Sequence, residues 1–448
     1  MQFQQWLRPA RRGVARSYYE GMRCREDLAG WSRSDKETWI LRRLQFSVRR
    51  AFEETLYYRE MFQTIGFDPY INFSFDEFAH LPIIERREIH REGKRLLSNV
   101  IPLRRLRRDA TGGSTGSPTE IWLGTEEEGW AASGREFFHK QVGVPAGTRT
   151  AALWGHHLDP VASDRLLDRF VSFAHNGRWF DCFRLSSEIL ESYHHELDEY
   201  RPACVVAYAN AMGQLAEHIL ERGYRPRYPT RCVITGAEKL QPGHREVIER
   251  VFGRPVHERY GSRDVGLMAF QVDPARTHDL TVDWCNIFIE PESDSPQADI
   301  LITKLHADGM PLIRYRVGDI GLFPDRSLPG HPTFILHEVL GRSLDRIWLP
   351  NGKWIHGIQF PHLMKDHPVR EFMLVQNPDF SVQLDLVPKR GFSEASRREI
   401  EATISANLQG LALRVGLVDE IHRTKAGKWR PVMSHIDFEK MAARGEVN

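Results

Sequence analysis

Between residues 187 and 260 the chain alternates short apolar runs with helical patterns, and this rhythm limits the fold more than any other feature. Ile189, Leu190, Tyr193, Leu197 and Tyr200 recur at the spacing of one helical face, and Pro202 stops the run. Residues 203–209 form a continuous apolar stretch between turn signals, as expected of a strand buried on both faces. Asn210 is the expected N-cap of a helix reaching Arg222, with Gly223 as its C-terminal cap. Residues 231–235 and 255–260 read as further strands, separated by the turn Gly236-Ala237-Glu238 and a helix over 243–252 that Gly253 ends. Strand, helix and strand in this order predict a parallel sheet with helices on its faces. Ligands of such sheets bind beyond the C-terminal strand ends. The turns at Gly236 and Gly261 fall there.

After residue 341 the pattern changes. Residues 370–375 and 381–387 look like strands, 393–408 like a Glu/Arg-rich helix, and 412–418 like another strand. The expected fold class is therefore α/β: a large N-terminal domain with parallel-rich sheets and helices over 1–340, then a small α+β C-terminal domain over 341–448. With 448 residues the chain is long enough for both.

Charge excludes some partners. Basic and acidic residues number 61 and 60, a net +1, so no global field favours nucleic acid or an acidic membrane. No 18-residue apolar run predicts a membrane span, and the first residues lack a secretory apolar core. The cysteines Cys24, Cys182, Cys204, Cys232 and Cys285 are scattered without a Cys-x-x-Cys, which fits reduced thiols and a cytoplasmic location. Cys204 and Cys232 lie in apolar runs and are expected to be buried.

The segment from Asp109 to Glu120 carries the first chemical signal. Thr111, Gly112, Gly113, Ser114, Thr115 and Gly116 offer backbone N–H groups and small hydroxyls with little side-chain bulk, which is how a chain cradles a polyphosphate. It is not a Walker loop, because no Lys precedes the last hydroxyl and a strand-like Glu120-Ile-Trp-Leu123 follows. A flexible turn is the plainer reading of such a segment taken alone.

Four more segments follow in order: Arg259-Tyr-Gly-Ser-Arg-Asp-Val-Gly266, Met310-Pro-Leu-Ile-Arg-Tyr-Arg-Val-Gly-Asp319, Gly341-Arg-Ser-Leu-Asp345 and Arg423-Thr-Lys-Ala-Gly-Lys428. Together with the glycine segment they resemble the signature set of the adenylate-forming superfamily of acyl-CoA ligases, carrier-protein adenylation domains and luciferases. Within it the chain looks like the phenylacetate-CoA ligase branch, which also holds proteins associated with capsular polysaccharide synthesis (the CapK type). The resemblance runs from about Arg105 to the C-terminus.

The resemblance implies an ATP- and Mg²⁺-dependent ligase that joins a small-molecule carboxylate to AMP, releases pyrophosphate, and passes the acyl group to coenzyme A or a carrier-protein thiol. An acyl carrier protein is the macromolecular partner so implied. Thr111 to Thr115 would wrap the β- and γ-phosphates. Asp264 stands where the family has a metal-binding Glu, and Arg263 beside it would grip a phosphate or substrate anion. Tyr260 and Gly261 would line the adenine with Gly236, Ala237 and Glu238 on another side. Asp319 would accept from the ribose hydroxyls, entered from an apolar strand at Leu312-Ile313. Arg342 would touch ribose or phosphate. Lys428, in a C-terminal domain that moves, would bridge the incoming carboxylate and the α-phosphate. Leu344 replaces the usual hinge acid. Trp154 and His156 fall where the family places its acyl pocket. Alternatives are an adenylyltransferase, an amide- or ester-forming ligase, and a catalytically silent nucleotide-binding scaffold. His194-His195 sit on a helical polar face and are not assigned a catalytic role.

Overall fold

In a computed structural model the described residues are 12–28, 30–110, 119–155, 176–182, 185–342, 346–351, 353–357, 359–364, 367–389, 391–421 and 431–436. The chain divides into two compact units, Met1–Val339 and Leu340–Asn448.

The first unit is built on an eight-stranded mixed sheet. Its parallel half consists of Gly177–Asp181, Thr150–Trp154, Cys204–Tyr208, Cys232–Gly236 and Val256–Ser262, side by side in that order. Helices Ser187–Tyr200, Ala209–Arg222 and Pro242–Phe252 make the connections. The α/β class and the strand–helix alternation are as the sequence implies. Leu153, Val205, Ala207 and Val233 are buried against helix residues Met212, Leu215, Ala216 and Ile219 in one core cluster. Continuous apolar runs are what such doubly covered strands require.

Two local expectations fail. Asn210 is not an N-cap: the helix begins at Ala209, directly after the strand ends at Tyr208, and no side chain of its own caps it. The Asn210 N–H instead donates to Glu238 Oε2 at 3.4 Å, so the neighbouring strand's turn serves that helix end. Leu312 and Ile313 form no strand; they are buried in the main core, and the strand starts at Tyr315 after Arg314, whose φ is 49°. Arg314 pairs with the buried Glu290 at 3.0 Å and donates to the Leu81 carbonyl at 2.6 Å. A buried apolar approach to a strand reads in sequence like the strand itself.

Val256–Ser262 changes partner along its length. Residues up to Glu258 pair parallel with Val233–Thr235, and Arg259 onwards pairs antiparallel with Gly266–Phe270. Leu280–Val282 and Ile335–Leu336 complete that antiparallel half. A second sheet contains Ile287–Pro291, Gln297–Lys304 and Tyr315–Leu322, paired antiparallel. Its large core takes Ile40, Leu44, Tyr58, Phe62 and Phe78 from the N-terminal helices. Helix Arg12–Leu28 is fixed through Arg25, whose guanidinium meets the Asp283 carboxylate in two hydrogen bonds of 2.7 and 2.8 Å, both side chains almost fully buried.

The second unit holds a four-stranded sheet, ordered Leu413–Leu417, Val382–Pro388, Val369–Gln376, Val432–Ser434. Helix Glu394–Asn407, capped by the Ser393 hydroxyl, covers it through Ile400 and Ile404. Among the described residues no helix is long and apolar enough to cross a membrane.

Candidate active site

The glycine segment is flanked by two paired strands. Arg107–Ala110 and Glu120–Leu123 pair antiparallel, with Ala110 opposite Glu120. Thr111, Gly112, Gly113, Ser114, Thr115 and Gly116 lie outside the described residues. The base of the strand pair is tied by ions: Arg107 contacts Asp109 at 2.8 Å and Glu128 at 2.5 Å. Glu128 is in the first turn of helix Thr125–Gln141, with Glu126 and Glu127, the end where the helix dipole favours acids. Asp308, from a distant loop, accepts the N–H groups of Glu126 and Glu127 at 3.0 and 3.2 Å and so caps this helix. Gly124 makes room for it, since a Cβ there would lie 2.1 Å from Asp308 Oδ1. Glu127 accepts from Lys304 Nζ at 2.6 Å; burial pushes its carboxyl up to about 7 although Lys304 opposes the shift.

The Tyr260–Asp264 motif is the turn where Val256–Ser262 folds back onto Gly266–Phe270. A Cβ on Gly261 would meet the Gly266 carbonyl oxygen at 2.4 Å, so this hairpin needs glycine for close approach. Arg263 is exposed on the turn, whereas Asp264 is buried. The Tyr315 hydroxyl donates to Asp264 Oδ2 at 2.8 Å, and Arg86 Nη2 stands 3.6 Å from the same oxygen. Burial opposes ionisation of Asp264, but the Ser262 hydroxyl, the Arg86 charge and the Tyr315 hydroxyl outweigh it and hold the carboxyl below its ordinary value. Asp264 Oδ2 is thus held by the Tyr315 hydroxyl and faced by the Arg86 charge, and a hard cation would have to displace these partners to bind that oxygen.

Tyr260 and Asp319 come together. The Tyr260 hydroxyl donates to Asp319 Oδ2 at 2.9 Å, while the ring packs against the main core. Asp319 lies inside strand Tyr315–Leu322 rather than at its end. Gly318, at φ 81°, accompanies a register irregularity there, because Asp299 faces Ile320 while Leu301 faces Arg316.

Gly236, Ala237, Glu238 and Trp154 lie at the C-terminal edge of the parallel strands. Gly236 ends its strand, Ala237 takes φ 66°, and Glu238 reaches the Asn210 N–H. Trp154 and Tyr208 end neighbouring strands, and their rings meet edge to face at 4.5 Å. The Arg259 guanidinium lies over Trp154 at 4.5 Å. It also crosses Gly236, where a Cβ would come within 2.8 Å of its Cγ. Burial and the nearby Arg135 charge lower the Arg259 pKa to about 10. His156, Leu344 and Lys428 are outside the described residues; Arg342 ends strand Glu338–Arg342, its side chain not described.

Sequence reasoning missed Arg86, His90, Arg259 and Tyr315. Arg259 and Tyr315 sit within the quoted motifs and were legible as neighbours. Nothing in the sequence around Arg86 and His90 marks them.

No protein-family profile matches the chain. Among curated proteins it is similar to Protein CapK of Staphylococcus aureus, 20% identical over 367 residues that cover 80% of each chain. It is similar to the phenylacetate-coenzyme A ligase of Aromatoleum evansii, 23% identical over 408 residues, 86% of this chain and 85% of that one. The Pseudomonas putida ligase of the same name is 23% identical over 329 residues, 68% and 70% of the two chains. Among solved structures, 2-hydroxyisobutyryl-CoA ligase in the postadenylation state with R3-HIB-AMP matches with a TM-score of 0.69 at 18% identity, over 92% of both chains. At that identity the likeness establishes the fold.

Proposed function

We propose, for a chain that belongs to the adenylate-forming superfamily in the branch of CapK and the phenylacetate-coenzyme A ligases, that it activates a small-molecule carboxylate with ATP and transfers the acyl group to coenzyme A. The observation that carries this reading is the hydrogen bond between Tyr260 and Asp319, which joins two separate motifs at one place. Similarity to phenylacetate-coenzyme A ligases over 86% of the chain supports it.

In the first half-reaction a carboxylate oxygen bonds to the α-phosphorus of ATP, the bond to the β-phosphate bridging oxygen breaks, and pyrophosphate leaves. In the second, the coenzyme A sulfur bonds to the acyl carbon, AMP leaves, and the thiol proton goes to solvent. ATP enters as its magnesium complex. Thr111 to Thr115 hold its phosphates, Tyr260 faces the adenine, and Asp319, oriented by the Tyr260 hydroxyl, accepts from the ribose hydroxyls. Lys428 supplies the cation between two anions that repel as they approach. Trp154, Tyr208 and Arg259 line the acyl side. A carrier-protein thiol is an equivalent acceptor for the same acyl-AMP.

A second reading has one observation in its favour, the similarity to CapK across 80% of the chain. Here the acyl group of the same acyl-AMP passes to an amine or hydroxyl and AMP leaves. Carboxylate-dependent exchange of pyrophosphate into ATP tests the shared first step, and its absence across aryl, fatty and amino acids overturns both readings. Mass analysis of products formed with and without coenzyme A separates them.

A further inference from the structure

Helix Arg86–Glu92 joins two parts of the site that the sequence keeps apart. His90 Nε2 and the Thr119 hydroxyl, at the end of the glycine segment, are 2.8 Å apart. One turn earlier on the same helix face, Arg86 Nη2 stands 3.6 Å from Asp264 Oδ2. The start of this helix is fixed by backbone. The Ile84 N–H donates to the Arg314 carbonyl at 3.1 Å, and the Arg316 N–H donates to the Ile84 carbonyl at 2.9 Å. Glu85 pairs with Arg316. The helix is thus seated on the strand that carries Asp319.

Arg86 is not arranged as a mere counter-ion. The buried Asp264 accepts from the Tyr315 hydroxyl at 2.8 Å. Arg86 lies beyond hydrogen-bond reach of that carboxylate, and its side chain is 24% exposed against 3% for Asp264. An arginine placed to satisfy a buried acid looks different in this same protein, where Arg25 meets Asp283 at 2.7 and 2.8 Å with both side chains buried. Arg86 is held by the Asp264 charge and by the Tyr315 hydroxyl, and its side chain stays 24% exposed, which leaves its planar donor fork within reach of two phosphate oxygens.

We infer that Arg86 grips the pyrophosphate end of ATP, with Asp264 orienting the guanidinium. The assignment rests on the adenylation reading above. It places a fixed cation where the family's acid position alone would suggest a metal.

The test is calorimetric titration of wild type, Arg86→Gln and Arg86→Lys with ATP, inorganic pyrophosphate and AMP. Arg86→Gln should bind ATP and pyrophosphate at least about tenfold more weakly, as expected for losing a charge-assisted hydrogen bond. Its affinity for AMP should stay within about twofold. Arg86→Lys keeps the charge without the fork and should fall between. Should Arg86→Gln fail to fold, Arg86→Lys carries the comparison, and its unchanged affinity for ATP and pyrophosphate then overturns the inference. Unchanged ATP and pyrophosphate affinity in Arg86→Gln overturns it too. So does an equal loss for ATP and AMP, which would mark the helix as structural. Wild type that binds none of the three overturns the ligase reading and this assignment with it; wild type that binds ATP beside an unaffected Arg86→Gln overturns this assignment alone.

Discussion

The Tyr260 hydroxyl donates to Asp319 Oδ2 at 2.9 Å across 59 residues of chain. The bond joins the hairpin of the mixed sheet to the middle of a strand in the second sheet. A phenol that holds one carboxylate oxygen fixes the direction of the other, which is what recognition of a ribose diol requires.

Asp319→Ala should therefore weaken AMP binding by about 1.5–3 kcal/mol, the worth of hydrogen bonds to a charged group. Tyr260→Phe should cost less, about 0.5–1.5 kcal/mol, because only the orienting bond is lost. Titration with AMP and with its 2′,3′-dideoxy analogue checks both. Wild type that binds the two nucleotides alike removes Asp319 from ribose recognition.

Lys428→Ala should leave ATP binding and melting temperature nearly unchanged while slowing adenylation by about 10²-fold or more. The variant should still convert supplied acyl-AMP to thioester. Paired half-reaction assays decide this, and equal losses in both halves would indicate a structural lysine.

Asp283→Ala leaves Arg25 charged and buried among Gly21, Ser133 and Trp130. Breaking such a pair by removing one partner typically costs about 3–5 kcal/mol. Denaturant unfolding should show a loss of that order; a loss below about 1 kcal/mol would mean that water or a shifted neighbour replaces the carboxylate.

Glu127 gives a pH dependence with a definite sign. Its carboxyl rises from an ordinary 4.5 to about 7 on folding. Between those values the folded chain binds more protons than the unfolded one, so this group's contribution to stability falls as pH rises through the window. Glu127→Gln should flatten that part of the stability–pH curve, because the amide keeps the shape of the neutral acid and does not titrate. Thermal melts of both proteins from pH 4.5 to 7.5 compare the slopes. Parallel curves would place the effect elsewhere.

Gly261→Ala forces a Cβ against the Gly266 carbonyl oxygen. Overpacking of this kind costs about 1–3 kcal/mol. Because it shifts the turn that carries Asp264, nucleotide binding should weaken along with stability; a variant with wild-type melting and binding would show that the hairpin has room to give.

The central strands of the parallel half were legible because Cys204–Tyr208 and Cys232–Gly236 are covered on both faces and so read as unbroken apolar runs, whereas the edge strand Gly177–Asp181 is less buried and carries no such run. The turn glycines Gly223 and Gly253 were legible because both end helices at positive φ, where a side chain is strained. Asn210 was misread because its N–H partner, Glu238, comes from another strand's turn. Leu312 was misread because burial alone makes an irregular segment apolar. His90 and Arg86 act through residues 29 positions or more away in the chain, at Thr119 and Asp264, and short-range patterns carry no trace of such pairs.

Neighbouring residues of strand Val256–Ser262 look in opposite directions: Arg259 onto Trp154, Tyr260 towards Asp319. On the proposed reading one short strand thus divides acid from nucleotide, with a separate side chain for each. For protein engineering that reading makes position 259 the one to vary for choice of acid, with Gly236, which the Arg259 chain crosses, as its link to the nucleotide side. Inserting or deleting a single residue upstream would exchange the two faces and abolish both at once.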